Sequence, residues 1–113
     1  MAKDDYHVIV YQILAYLYTK LKEGEPVDPK MISHDSHYLK INEKYWLYIM
    51  ENLLKYGYIS GITVTKSWGN EVFINGLDNC EITPLGIEFL CDNSFLNKAR
   101  EFLKDAKAIV PFV

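Results

Sequence analysis

Lys44, Tyr48, Asn52 and Lys55 recur at the three- and four-residue intervals that put side chains on one helix face, with Tyr45 at its margin. Residues of these types on a helix laid in a DNA major groove have defined tasks. Asparagine can pair with an adenine edge, tyrosine hydroxyls reach sugar or phosphate, and ammonium groups meet phosphates. Lys66 and Trp68 follow in a segment that reads as a hairpin, adding a cation and a large aromatic near its turn. The same side chains suit a protein partner, because tyrosine and tryptophan supply large contact areas. Charge weighs between the two. Glu43 and Glu51 are interleaved with the lysines, the helix has no arginine, and the hairpin offers only Lys66. Binding to duplex DNA rests heavily on neutralising phosphates, so this face reads more readily as solvated or partner-facing than as a DNA reader.

Other chemistries have weaker signals. His34 and His37 stand three residues apart beside Asp35, but no second pair of ligands lies nearby, so the stretch reads as a polar turn and not a metal site. Cys80 and Cys91 lack metal-ligand spacing. Trp68 either contacts a partner or folds back onto the core. No glycine-rich phosphate loop opens a helix, no serine or cysteine nucleophile has a placed histidine, and no carboxylate pair stands out. The expectation is a protein that is not an enzyme, with no cofactor and no metal.

The elements that position these residues fit one domain. A chain of 113 residues, half of them apolar and 14% aromatic, can bury a sizeable core. Its net charge of −3 gives no general attraction to nucleic acid. Residues 58–92 set Lys66 against five acids, whereas residues 93–113 carry Lys98, Arg100, Lys104 and Lys107 against two. Any anion-seeking surface is therefore expected at the C-terminal helix rather than on the central hairpin. The apolar run from Val8 to Leu21 contains Gln12, Thr19 and Lys20 and follows Asp4 and Asp5, so it reads as a buried helix and not as a signal peptide or membrane span. Few thiols and no disulfide framework suggest the cytoplasm.

A first helix is expected from about Asp5 to Lys22, with Val10, Leu14, Leu17 and Leu21 on one face and Tyr11, Ala15 and Tyr18 on a second flank. Asp28-Pro29 opens a short second helix, with Met31 and Ile32 inward. Asn42 caps a third over Glu43–Tyr56, whose inward stripe is Trp46, Ile49, Met50, Leu53 and Leu54. After Gly57, Ile62-Thr63-Val64-Thr65 and Val72-Phe73-Ile74 read as strands around a turn at Ser67–Asn70, and Cys80-Glu81-Ile82 as a third short strand. Thr83-Pro84 opens a fourth helix, and Asp92-Asn93-Ser94 separates it from a fifth. Three helices, a hairpin and closing helices describe an α+β, mostly α, winged helix-turn-helix.

Two segments go beyond periodicity. Tyr45-Trp46 through Leu53-Leu54 and Gly57-Tyr58-Ile59-Ser60-Gly61-Ile62 form one signature, and Ile82-Thr83-Pro84-Leu85-Gly86-Ile87-Glu88-Phe89-Leu90 a second. With Lys98-Ala99, Phe102-Leu103-Lys104 and Ile109-Val110-Pro111 downstream, they resemble the YjcQ family, closely over the last two-thirds of the chain and loosely over the first helix. The resemblance implies a winged-helix fold and a phage or prophage origin, and it carries over no catalytic or binding residues. Pro111-Phe112 stands where such proteins often end in Pro-Gly.

The partners this leaves open are duplex DNA, a host or phage protein, and a second copy. Residues 1–92 read as the winged domain and 93–113 as a helical extension that either covers the core or dimerises. Phe95, Ala99, Phe102, Leu103 and Ala106 would form the dimer stripe, paired about a two-fold axis.

Overall fold

A computed structural model describes residues 1–105. Helix α1 (Tyr6–Glu23) is its centre: every residue from Val8 to Leu17 is buried. A helix apolar all round has to be enclosed on all sides. The 29–41 segment, helix α2 (Glu43–Lys55), helix α3 (Pro84–Asp92) and helix α4 (Ser94–Asp105) contribute to the core around it. Leu21, expected on the buried face, is 50% exposed, because α1 outruns its cover in its last turn. The fold is α+β and mostly helical, and its element order is compatible with a winged helix.

The expected second helix is reduced to a 3-10 turn over Pro29–Met31, with the Asp28 carboxylate accepting from Lys30 N–H at 3.0 Å. A reason lies in its hydrogen bonds. The Ile32 carbonyl, needed to continue a helix, accepts instead from the buried Trp46 indole N–H at 2.7 Å. Ser36 N–H turns back to the Ser33 carbonyl, and the Ser36 hydroxyl donates to Met31 O. The segment is thus fastened to α2 by one buried bond and by Ile32 and Leu39 in the core.

Helix α2 begins where the Asn42 side chain accepts from Lys44 N–H and closes at Tyr56 and Gly57. Unlike α1 it is buried on one side only, through Trp46, Ile49, Met50 and Leu53. Strands β2 (Thr63–Lys66) and β3 (Val72–Asn75) form the expected antiparallel hairpin, Thr65 opposite Phe73. Strands β1 (Ile59–Ser60) and β4 (Glu81–Ile82) make a second antiparallel pair, Ile59 opposite Ile82. Periodicity gave no hint of β1.

This second pair joins the two sequence signatures. Thr83 caps α3 by accepting from Gly86 N–H, and its hydroxyl also donates to the Gly57 carbonyl. Thr83 N–H donates to Tyr58 O at 3.1 Å, and the Tyr58 ring stacks on Phe89 with centroids 4.2 Å apart. A Cβ on Gly86 would overlap the Tyr58 carbonyl and approach Ile82 Cγ1 to 2.8 Å, so only glycine lets the chains meet this closely. Just after β1, a Cβ on Gly61 would overlap the Asn79 carbonyl in the same way.

Helix α4, with Asn93 accepting from Phe95 and Leu96 N–H, lies along α1. Its inward residues are Leu96, Ala99 and Leu103. The stripe expected to dimerise therefore divides. Ala99 and Leu103 are buried in the chain's own core and unavailable to a second copy, Phe102 is half-buried, Phe95 is half-exposed, and Ala106 lies outside the described residues. The residue that pattern reading missed is Leu96, which takes the inward place assigned to Phe95.

Two substitutions test these joints. Gly86→Ala should lower stability by roughly 2 kcal/mol or more, because backbone atoms must move to admit a methyl group. Trp46→Phe should lower it by about 1–3 kcal/mol, leaving the Ile32 carbonyl without its donor. Thermal or urea unfolding measures both, and wild-type stability in either variant would contradict the corresponding contact.

Candidate functional site

The outward face of α2 and the tip of the β2–β3 hairpin enclose a groove of about 930 Å³. Helix α2 contributes Glu43, Lys44, Leu47, Tyr48, Glu51, Asn52 and Lys55, spaced along one face because its opposite stripe is held in the core. The hairpin contributes Gly69, Asn70, Glu71, Val72 and Phe73. Lys44, Tyr48, Asn52 and Lys55, expected from the sequence to act together, thus do share one surface.

The other expected site residues fall elsewhere. The Tyr45 hydroxyl donates to the Asp4 carbonyl at 2.7 Å, which ties the ring to the N-terminal segment and away from the groove. Burial, with Asp4 and Asp5 beside it, raises the pKa of that hydroxyl, so it remains a neutral donor. Lys66, at the end of β2, does not line the groove. Trp68 is 100% exposed, so of its two expected placements the folded-back one does not occur. Besides Glu43 and Glu51 on the helix and Gly69 and Asn70 in the turn, Leu47, Glu71, Val72 and Phe73 are lining residues that the sequence did not assign to the site. Only the path of the hairpin over α2 brings residues 71–73 there.

Within the groove, Asn52 donates its amide to the Tyr48 carbonyl at 2.7 Å, which fixes the amide on its own helix. Tyr48 is 61% exposed and meets Tyr6 edge-on at 6.4 Å. Beyond Tyr6 the aromatic contacts continue through His7 to Phe95, whose ring stacks on His7 at 4.9 Å. Burial first, and the neighbouring Tyr48, Tyr56, Tyr58 and Tyr45 hydroxyls second, raise the Tyr6 pKa. Glu43, Glu51 and Glu71 line the groove together with Lys44 and Lys55, so carboxylates outnumber ammonium groups there. Such a groove does not favour phosphates and can seat a cationic or apolar side chain.

His34 pairs with Glu43 at 3.2 Å rather than with His37. Among the described residues no three or more His, Cys, Asp or Glu side chains gather as a metal site. No described helix is long and apolar enough to cross a membrane.

The family model described as "YjcQ protein" matches residues 11–109, which extends the likeness across most of the first helix. No curated protein and no solved structure matches the chain.

The two thiols differ in environment. Cys91 is exposed, whereas burial, with Glu81 adding to it, pushes the Cys80 thiol up to about 12. Since the thiolate is the nucleophile, iodoacetamide should alkylate Cys91 in the folded protein and spare Cys80, with both modified in denaturant. Mass spectrometry of the peptides checks this, and equal labelling of both in the native state would contradict it. The native chain holds the Cys80 proton more tightly than an unfolded chain, whose thiol titrates near 9.0, so this residue's contribution to stability falls as pH rises above that value.

Proposed function

The chain belongs to the YjcQ family, and from that premise we propose that it is a non-catalytic interaction module, acting in the cytoplasm, which offers the α2–hairpin groove to a host or phage protein. The observation that carries this reading is the lining itself. Three carboxylates and two ammonium groups surround Leu47, Tyr48, Val72 and Phe73, with Trp68 fully exposed at the hairpin tip beside them. Exposed aromatic residues around a charge-mixed cleft are the composition expected of a protein-binding surface.

A second reading, binding of duplex DNA, draws on the element order. A winged-helix arrangement would set α2 in the major groove with the hairpin alongside, and Lys44 and Lys55 would meet phosphates. Against it stand Glu43, Glu51 and Glu71 on the same surface, which outnumber Lys44 and Lys55 and would be repelled by the phosphate backbone.

Two experiments separate the readings. Anisotropy titration against mixed-sequence duplex DNA at low salt should show no saturation in the range of about 10⁻⁶–10⁻⁴ M typical of non-specific binders. Cross-linked capture from host extract should retain a protein that is lost with Glu51→Lys and with Phe73→Ala, while circular dichroism of both variants stays unchanged. DNA binding that weakens uniformly in Lys44→Glu and Lys55→Glu would replace the first reading with the second.

A further inference from the structure

How a partner would sit in this groove follows from the hairpin, and the inference rests on the protein-binding reading above. Strand β3 is bonded to β2 along one edge only, since the described sheet has two strands. Ser67 N–H donates to Glu71 O at 2.8 Å, and the register continues through Lys66 opposite Val72 and Thr65 opposite Phe73. In an antiparallel ladder the bonded pairs alternate. Phe73 and Asn75 therefore direct their main-chain groups toward β2, whereas Val72 and Ile74 direct theirs to the opposite edge.

At Val72 that opposite edge opens on the groove, and Ile74 continues the same edge just beyond the lining. Strand β2 supplies none of the lining, while both Val72 and Phe73 do. Consecutive strand residues point to opposite faces, so a cavity touched by both runs along the edge of the strand and not across one face. The far wall is α2, with Leu47, Tyr48 and Glu51. An unpaired edge beside a cleft is the geometry in which an extended peptide adds as a further strand. The excess of Glu43, Glu51 and Glu71 over Lys44 and Lys55 selects its charge.

We propose that the groove takes an extended, lysine- or arginine-bearing segment of a partner protein as a third strand on β3. Its backbone pairs with the outward groups of Val72 and Ile74, its cationic side chains meet Glu51 and Glu71, and an apolar side chain rests on Leu47 and Phe73.

The test uses the full chain and a fluorescein-labelled octapeptide of alternating lysine and valine. Anisotropy should rise with this peptide and not with its glutamate–valine counterpart. N-methylation of the alternate residues whose amides face β3 should weaken binding about tenfold, and methylation of the other set should not. Amide spectra should shift most at Val72 and Ile74. No rise with the basic peptide, equal binding of the acidic one, or equal tolerance of both methylation patterns would overturn the proposal. If these fail while capture sensitive to Glu51→Lys and Phe73→Ala persists, only the strand-addition mode falls. If that capture is also absent, the protein-binding reading falls with it.

Discussion

The contact between the Tyr58 carbonyl and the turn Thr83–Gly86 is the constraint from which the rest of the fold is arranged. One carbonyl accepts from Thr83 N–H, and only the missing Cβ of Gly86 lets the start of α3 come up against it. The Thr83 hydroxyl serves both sides of this joint, capping α3 and donating to Gly57. The end of α2 and the start of α3 are thereby held together, with β1 paired to β4 between them. The β2–β3 hairpin is the chain between those two fixed points, so its direction follows from the joint. The groove over α2 exists because the hairpin leaves there and returns.

Inside this frame the helices have different tasks. Helix α1 is enclosed for ten consecutive residues and exposes no face on which a partner could settle over that length. Helix α2 is clamped by Trp46 on one side and is free on the other. The clamp also decides the 29–41 segment, where the Ile32 carbonyl bonds the indole and a helix does not continue. Burial of Ala99 and Leu103 against α1 assigns the C-terminal helix to the core of its own chain. Among the described residues, exposed aromatic side chains remain on the outer face of α2 at Tyr48, at the hairpin in Trp68 and Phe73, and at Phe95.

The chemistry of that surface follows from side-chain type and neighbourhood together. Lys44 and Lys55 alone would suggest phosphate contacts. Glu43 and Glu51 already match them on the helix, and Glu71 from the hairpin adds one carboxylate in excess, so the cleft suits cations better than anions. Tyr45, which shares the helix with them, is removed by its bond to Asp4.

Much of the secondary structure was legible in the sequence because it rests on local rules. Asn42 and Thr83 cap helices through their own side chains, Pro84 suits a first turn, and the 3.6-residue stripe of α2 identifies its buried side. The helical part of the site was legible for the same reason, since Lys44, Tyr48, Asn52 and Lys55 share a face at fixed spacing. Three things were decided only in three dimensions. Strand β1 is too short to show a period and exists because β4 lies beside it. Leu96 rather than Phe95 points inward because α4 is rotated to fit α1. Glu71, Val72 and Phe73 join the site because the Gly86 joint aims the hairpin across α2. Local sequence fixes which residues share an element, but which elements face one another depends on close contacts between distant residues, and spacing along the chain does not encode those.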